Sequence, residues 1–270
     1  MTNDILSRAK ELLGNDYQKK ALPAGNDSLA KAKELLGSKG SLDVYVVFDT
    51  TGSMNSYVNV VRDNIAQVTD ALLDGKSDIR LSINGVGDHC DTDLDGREMS
   101  LQMYALSKDP KQVYGSIEEI IMTGGGDTPE AYECMALALA KRLPAESAGR
   151  KRAVVLVADS IPHGMTDAPC HNDVDYKTAF EALKTVCDGF YFVGCSPSMY
   201  DLQKQLVNGS RKEREQFIPL GTMVDVLPTL LIALAKKAES EKAFTEYMKI
   251  VEKQNPQMAG KVYGLLPDRK

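Results

Sequence analysis

Apolar runs of strand length alternate with stretches of helical period along most of this chain. Leu42-Asp-Val-Tyr-Val-Val-Phe48 is almost unbroken in β-branched and aromatic residues, the pattern of a strand covered on both faces. Val58, Val61, Ile65, Val68 and Leu72 then share one stripe at helical spacing, which predicts a helix over 58–73. Strands are predicted over 79–86 and 100–106, a helix over 113–121 after Pro110, and a helix over 129–142 with Pro129 in its first turn. Ala153-Val-Val-Leu-Val-Ala158 reads as another buried strand, followed by a long polar loop to Asn172. A helix over 176–186, a strand over 190–194, a helix over 199–207 and a strand over 216–219 continue the alternation. Residues 224–251 hold a final helix or helix pair, because Pro228 fits only near a helix start. The alternation predicts an α/β fold: a doubly wound, mostly parallel, six-stranded open sheet flanked by helices, Rossmann-like in layout.

Residues 1–41 follow a different pattern. Leu6-Ser-Arg-Ala-Lys-Glu-Leu-Leu-Gly14 returns almost unchanged as Leu29-Ala-Lys-Ala-Lys-Glu-Leu-Leu-Gly37. Each copy makes a short one-faced helix ended by Gly, and Asp27-Ser28 offers an N-cap for the second. Helices this short must dock on something, either the domain's own flank or a partner. The chain therefore divides into an N-terminal helical extension with two short repeats (1–41), one α/β domain (42–252) and a C-terminal tail (253–270).

Composition adds exclusions. The net charge of −6 and pI near 5.2 argue against nucleic acid or an anionic membrane surface as a partner. No apolar run approaches the ~20 residues that cross a bilayer, and charges at Asp4, Arg8, Lys10 and Glu11 do not suit a signal peptide. Five cysteines without framework spacing, in a chain of 270 residues, point to a reducing, cytoplasmic setting.

In a doubly wound sheet, ligands bind outside the carboxyl ends of the strands, which directs attention to three loops. In Asp49-Thr-Thr-Gly-Ser-Met54, the residues Asp49, Thr51 and Ser53 alternate with period two, so an extended turn aims one carboxylate and two hydroxyls at a common point. Hard cations take such oxygen ligands; a helix cap with satisfied turn backbone would also account for them. Met122-Thr-Gly-Gly-Gly-Asp-Thr-Pro-Glu130 permits close backbone approach but lacks the Lys of a phosphate loop, so Thr128 reads as a further oxygen ligand. Asp159 ends a central strand beside the one ending in Asp49, and two such acids call for a cation or hydrogen bonds.

Together, Asp49-x-Thr51-Gly-Ser53-Met54, Gly124-Gly-Gly-Asp-Thr128 and Asp159 resemble the metal-ion-dependent adhesion site of von Willebrand factor type A domains. The resemblance runs in order over roughly residues 42–235. It implies that Asp49, Thr51, Ser53 and Thr128 hold an ion of the Mg²⁺ class (or Mn²⁺ or Ca²⁺) directly or through water, with Asp159 usually acting through water. Thr51 stands where the family commonly has Ser, which keeps the hydroxyl and adds a methyl. Gly87-Asp88-His89-Cys90-Asp91 and Ala168-Pro-Cys-His171 further resemble the type A domains of the α-kinase-associated and related microbial group. That group has Arg where Gly87 stands. Its Asp-Ala-Pro-Cys-His run also follows the strand directly, whereas Asp167 here comes eight residues after Asp159; Asp159 is kept as the ligand because it ends the apolar run. No kinase domain is present, so no kinase activity carries over.

Asp127, Asp88, His89, Cys90, His163, Cys170 and His171 fall on these loops and are expected at the rim of the site. Zinc bound by some of them, a Cys90–Cys170 disulfide, or plain hydrogen-bonded ordering are the alternatives; irregular ligand spacing argues against zinc. Cys134, Cys187 and Cys195 read as small core residues. The resemblance implies a protein-binding module rather than an enzyme: the ion engages an Asp or Glu of a protein partner, and the chain serves as an intracellular adaptor or assembly subunit, with an AAA+ ATPase system among its partner classes. The alternative is metal-assisted hydrolysis at the same ion, with His163, His89 or Asp88 as base.

Overall fold

The computed structural model describes residues 41–75, 77–207 and 215–266. The N-terminal repeats lie outside the described residues. Strand β1 (Ser41–Asp49) runs through the middle of a six-stranded sheet. It pairs in parallel with β2 (Asp78–Val86) on one side and β5 (Lys151–Ala158) on the other. Beyond β5 come β7 (Gly189–Gly194) and β8 (Glu215–Pro219), both parallel, while the short β3 (Leu101–Gln102) closes the other edge antiparallel to β2. The order β3-β2-β1-β5-β7-β8 reverses direction at β1, so a topological switch point lies between the carboxyl ends of β1 and β5.

Alternation within each strand builds two cores. Leu42, Val44, Val46 and Phe48 enter one core with Ala153, Val155 and Val157; Tyr45 and Val47 enter the other with Val154, Leu156 and Ala158. The first core is covered by α1 (Asn55–Leu72), α2 (Pro110–Glu119), α6 (Leu227–Glu239), α7 (Glu241–Gln254) and α8 (Pro256–Leu265). The second is covered by α3 (Tyr132–Glu146), α4 (Tyr176–Val186) and α5 (Tyr200–Val207). Side-chain caps set several helix starts: Asp109, Asp175, Ser240 and Asn255 each accept a backbone N–H from the first turn.

Three expectations change. The strand predicted over 100–106 keeps only Leu101–Gln102, because Asn84 Oδ1 takes the Tyr104 N–H (2.9 Å) and the chain leaves the ladder. The helix predicted from Pro129 starts at Tyr132, since Pro129–Glu130 forms β4, a two-residue parallel pair with β6 (Ile161–Pro162). The tail expected from 253 carries α8, whose Ala259, Val262 and Leu265 join the first core. No helix among the described residues is long and apolar enough to cross a membrane.

Candidate metal centre

Asp49 is the last residue of β1 and is wholly buried. Its Oδ1 accepts from the Thr51 backbone N–H (2.8 Å) and the Thr51 hydroxyl (2.6 Å), and its Oδ2 accepts from the Tyr132 hydroxyl. Thr51 Oγ1 in turn stands 3.4 Å from Ser53 Oγ. The period-two spacing thus gathers the three oxygens at the 3₁₀ turn Gly52–Met54, which the buried Met54 anchors in the first core.

The glycine loop is held from both sides. Asp91 Oδ1 accepts from Gly124 N–H and Gly125 N–H (both 3.0 Å), and Asp88 Oδ2 accepts from Gly126 N–H (3.1 Å). Thr123 N–H donates to Thr50 O (2.8 Å), knitting the second loop to the first. Gly125 adopts φ +73° and so favours glycine, and a Cβ on Gly126 would meet Cys90 Sγ at 2.6 Å and Asp88 Oδ2 at 2.9 Å, so these side chains pack directly on the Gly126 backbone. The β4–β6 pair then joins this loop to the one after β5, and the Ser160 hydroxyl donates to Thr128 O.

Ser53, Asp127, Thr128 and Asp159 line one cavity of about 250 Å³ together with Glu130, Ser160, Ser196 and Met199. Asp49 and Thr51 adjoin it through the hydroxyl chain. Burial, with the neighbouring charge of Asp159, raises the Asp49 carboxyl to about 7 despite hydrogen bonds from Thr51 and Tyr132. Burial, then Asp49, Asp88, Asp91 and Asp159, pushes Glu130 up to about 10. Glu130 Oε2 is buried and has no hydrogen-bond partner among the described residues. No Lys or Arg among the described residues lines the cavity. Such a group of acids and hydroxyls fits a hard divalent cation, whose charge offsets the mutual repulsion.

The rim residues separate into two groups. Asp88 and Asp127 both lie near His163 Nε2 (3.4 and 3.6 Å), while His163 Nδ1 is 3.6 Å from Glu133 Oε1. His89 stacks on His171 with centroids 5.2 Å apart, and its Nε2 contacts Glu133 Oε1 (3.0 Å), Cys134 Sγ (3.8 Å) and Cys170 Sγ (3.5 Å). Cys90 is exposed and donates to Asp88, and all five cysteines are free; the thiol beside Cys170 is Cys134, not Cys90. The late start of α3 explains this, because it puts Glu133 and Cys134 in the first helical turn at the rim. Cys134, expected as a small core residue, is buried in the second core but also stands beside His89 and Cys170. Glu130, Asp91, Tyr132 and Glu133 carry no role in the sequence reading, although Glu130 and Asp91 stand in the two loop motifs that it quotes.

No protein-family model matches the chain. No curated protein matches it either. Among solved structures it is similar to the pilus adhesin SpaC from Lactobacillus rhamnosus GG in its open conformation, with a TM-score of 0.55 at 14% sequence identity. The match covers 74% of this chain and 30% of the adhesin chain, and at that identity it shows the fold alone.

Proposed function

We propose that this α/β unit is a von Willebrand type A domain that holds one divalent cation, Mg²⁺ or else Mn²⁺ or Ca²⁺, and docks a protein partner's Asp or Glu. The observation that carries the reading is the acid and hydroxyl cluster at the β1/β5 switch point, to which no Lys or Arg among the described residues is paired. Asp49, Thr51, Ser53, Thr128 and Asp159 would hold the ion, which when bound supplies positive charge and a coordination position for a carboxylate. Thr51 and Tyr132 fix the Asp49 carboxylate, Asp88 and Asp91 fix the glycine loop, and Glu130 adds an acid to the cavity wall. Exposed Thr128 is placed to shape partner access rather than the packed sheet. The setting we propose is intracellular, as an adaptor or assembly subunit with an AAA+ ATPase system as a partner class; the acidic chain and its free thiols favour it.

Metal-assisted hydrolysis is weaker, because a base must reach the cavity. His163 is buried, with both ring nitrogens turned toward carboxylates, and no cationic side chain among the described residues lines the cavity to neutralise a phosphoryl substrate. The deciding experiment is titration of the full chain with Mg²⁺, followed by capture of its partner from native lysate with and without Mg²⁺. Binding should require the ion, Thr128→Ala should weaken it more than it lowers Tm, and replacing one partner Asp or Glu by its amide should remove most of the affinity. A complex that persists undiminished in excess EDTA would overturn the docking reading.

A further inference from the structure

We infer that the chain carries a second, separate metal site: a closed structural Zn²⁺ centre formed by His89, Glu133, Cys134 and Cys170. These residues come from three segments. His89 follows β2, Glu133 and Cys134 sit in the first turn of α3, and Cys170 belongs to the loop between β6 and α4. One ligand atom from each lies within 4.8 Å of all the others.

The distances fit four-coordinate zinc. Bonds of about 2.3 Å to sulfur and about 2.05 Å to nitrogen at tetrahedral angles put two sulfurs about 3.8 Å apart and sulfur about 3.6 Å from nitrogen. Here Cys134 Sγ and Cys170 Sγ are 3.6 Å apart, and His89 Nε2 stands 3.8 and 3.5 Å from them. Glu133 Oε1, 3.0 Å from the same nitrogen, supplies the fourth direction.

The surroundings favour a cation over a hydrogen-bonded cluster. The Glu133 side chain is fully shielded and that of His89 nearly so, and no Lys or Arg among the described residues pairs with this acid. Both sulfurs receive N–H groups of Asn172, the backbone one at Cys170 (3.4 Å) and Nδ2 at Cys134 (3.6 Å), an arrangement that stabilises thiolates. Glu133 Oε2 accepts from His163 N–H (3.1 Å), which orients the carboxylate. Glu98 Oε1 stands 3.8 Å from His89 Nδ1, on the side away from the proposed ion. With four protein ligands the site has no open position, so its role is structural: it clamps the loop after β2 and the loop after β6 to the start of α3. His89 adjoins Asp88, whose carboxylate holds Gly126, so the clamp braces the rim of the Mg²⁺-class site without sharing a ligand with it. The ligand positions match no sequence spacing for zinc because the fold, not the chain order, brings the three segments together.

The test is metal analysis of the untagged full chain, purified without chelator under reducing conditions, then stripped and reloaded with Zn²⁺ or Co²⁺. The expected result is one tightly held Zn²⁺ per chain. Co²⁺ should give thiolate-to-metal charge-transfer absorption and the intense visible bands of tetrahedral coordination. Cys134→Ser and Cys170→Ser should each weaken or abolish that charge-transfer band, while Asp49→Asn keeps it in full. Should a cysteine variant fail to fold, the wild-type chain still decides: Zn²⁺ should shield Cys134 and Cys170 from alkylation, leave Cys90 reactive, and lose that effect on chelation. Absence of retained Zn²⁺ after reloading, zinc that survives removal of both thiols, or a Cys134–Cys170 disulfide in the reduced preparation would each overturn the inference.

Discussion

Asp43 and Asp49 sit near opposite ends of β1, and both are wholly shielded from solvent. Burial raises the Asp43 carboxyl, but hydrogen bonds from Arg80, Ser147 and Arg150 outweigh it and hold the group below its ordinary value. Asp49 meets only hydroxyls, a backbone amide and other acids, and rises to about 7. Two chemically identical buried acids therefore have opposite needs, which makes a controlled pair of substitutions. Asp43→Asn removes the carboxylate that Arg80 pairs with and one of the two that Arg150 pairs with, Asp78 remaining, and should lower stability by about 3 kcal/mol while retaining the Mg²⁺ response. Asp49→Asn keeps an oxygen acceptor for Thr51, should leave metal-free stability equal or higher, and should abolish the Mg²⁺-dependent rise in Tm. A thermal shift with Mg²⁺ unchanged in Asp49→Asn would remove Asp49 from the site. Asp49, Thr51 and Ser53 were legible in the sequence because a local spacing of two is enough to converge their oxygens. Glu133 and Cys134 were not, because their neighbours His89 and Cys170 lie far away along the chain and only the fold supplies the contact.

At the scale of elements, long periodic segments were readable and short ones were not. Helix α4 has the predicted bounds, and the β1, β2, β5, β7 and β8 strands differ from expectation by one or two residues, since an apolar run bounded by polar turns leaves little choice. The β4–β6 pair escaped because two residues carry no periodicity, yet it joins the glycine loop to the loop after Asp159. Helix α8 escaped for a different reason. Gly260 and Gly264 lower its propensity, so its existence rests on packing of Ala259, Val262 and Leu265 rather than on local preference. That dependence is testable. A chain ending at Gln254 uncovers the first core where those three side chains bury, and should lose about 4 kcal/mol, taking ~1.5–3 kcal/mol each for the valine and leucine. Chemical denaturation of the two chains checks it, and an unchanged midpoint would show that α8 adds nothing to the domain.

For the whole molecule, the two ends of the sheet carry opposite electrostatic arrangements, which links stability to both pH and cation. Arginines compensate the amino-end acids Asp43 and Asp78, whereas Asp49, Glu130, Asp159, Asp88 and Asp91 gather at the carboxyl end. Asp49 moves from 3.8 to about 7 on folding, and Glu130 from 4.5 to about 10. The folded chain without its ion therefore binds protons that the unfolded chain has released. Their stabilisation is fully present below the unfolded values and is lost as pH rises through the folded ones. His163 adds with the same sign: burial would lower it, but the hydrogen bond and charge of Glu133, with Asp88 and Asp127, raise it above 6.5. Stability of the Mg²⁺-free protein should therefore fall progressively from about pH 4, where the unfolded carboxyls ionise, to about pH 10, where folded Glu130 does. A divalent ion replaces those protons as the neutralising charge, so Mg²⁺ should raise Tm more at the alkaline end of this range than at the acid end. Its binding should release protons, visible as a dependence of the titration heat on the ionisation enthalpy of the buffer. An equal Mg²⁺ effect on Tm across the range, with no proton release, would mean that the ion binds away from Asp49 and Glu130, and that these acids keep their protons for another purpose.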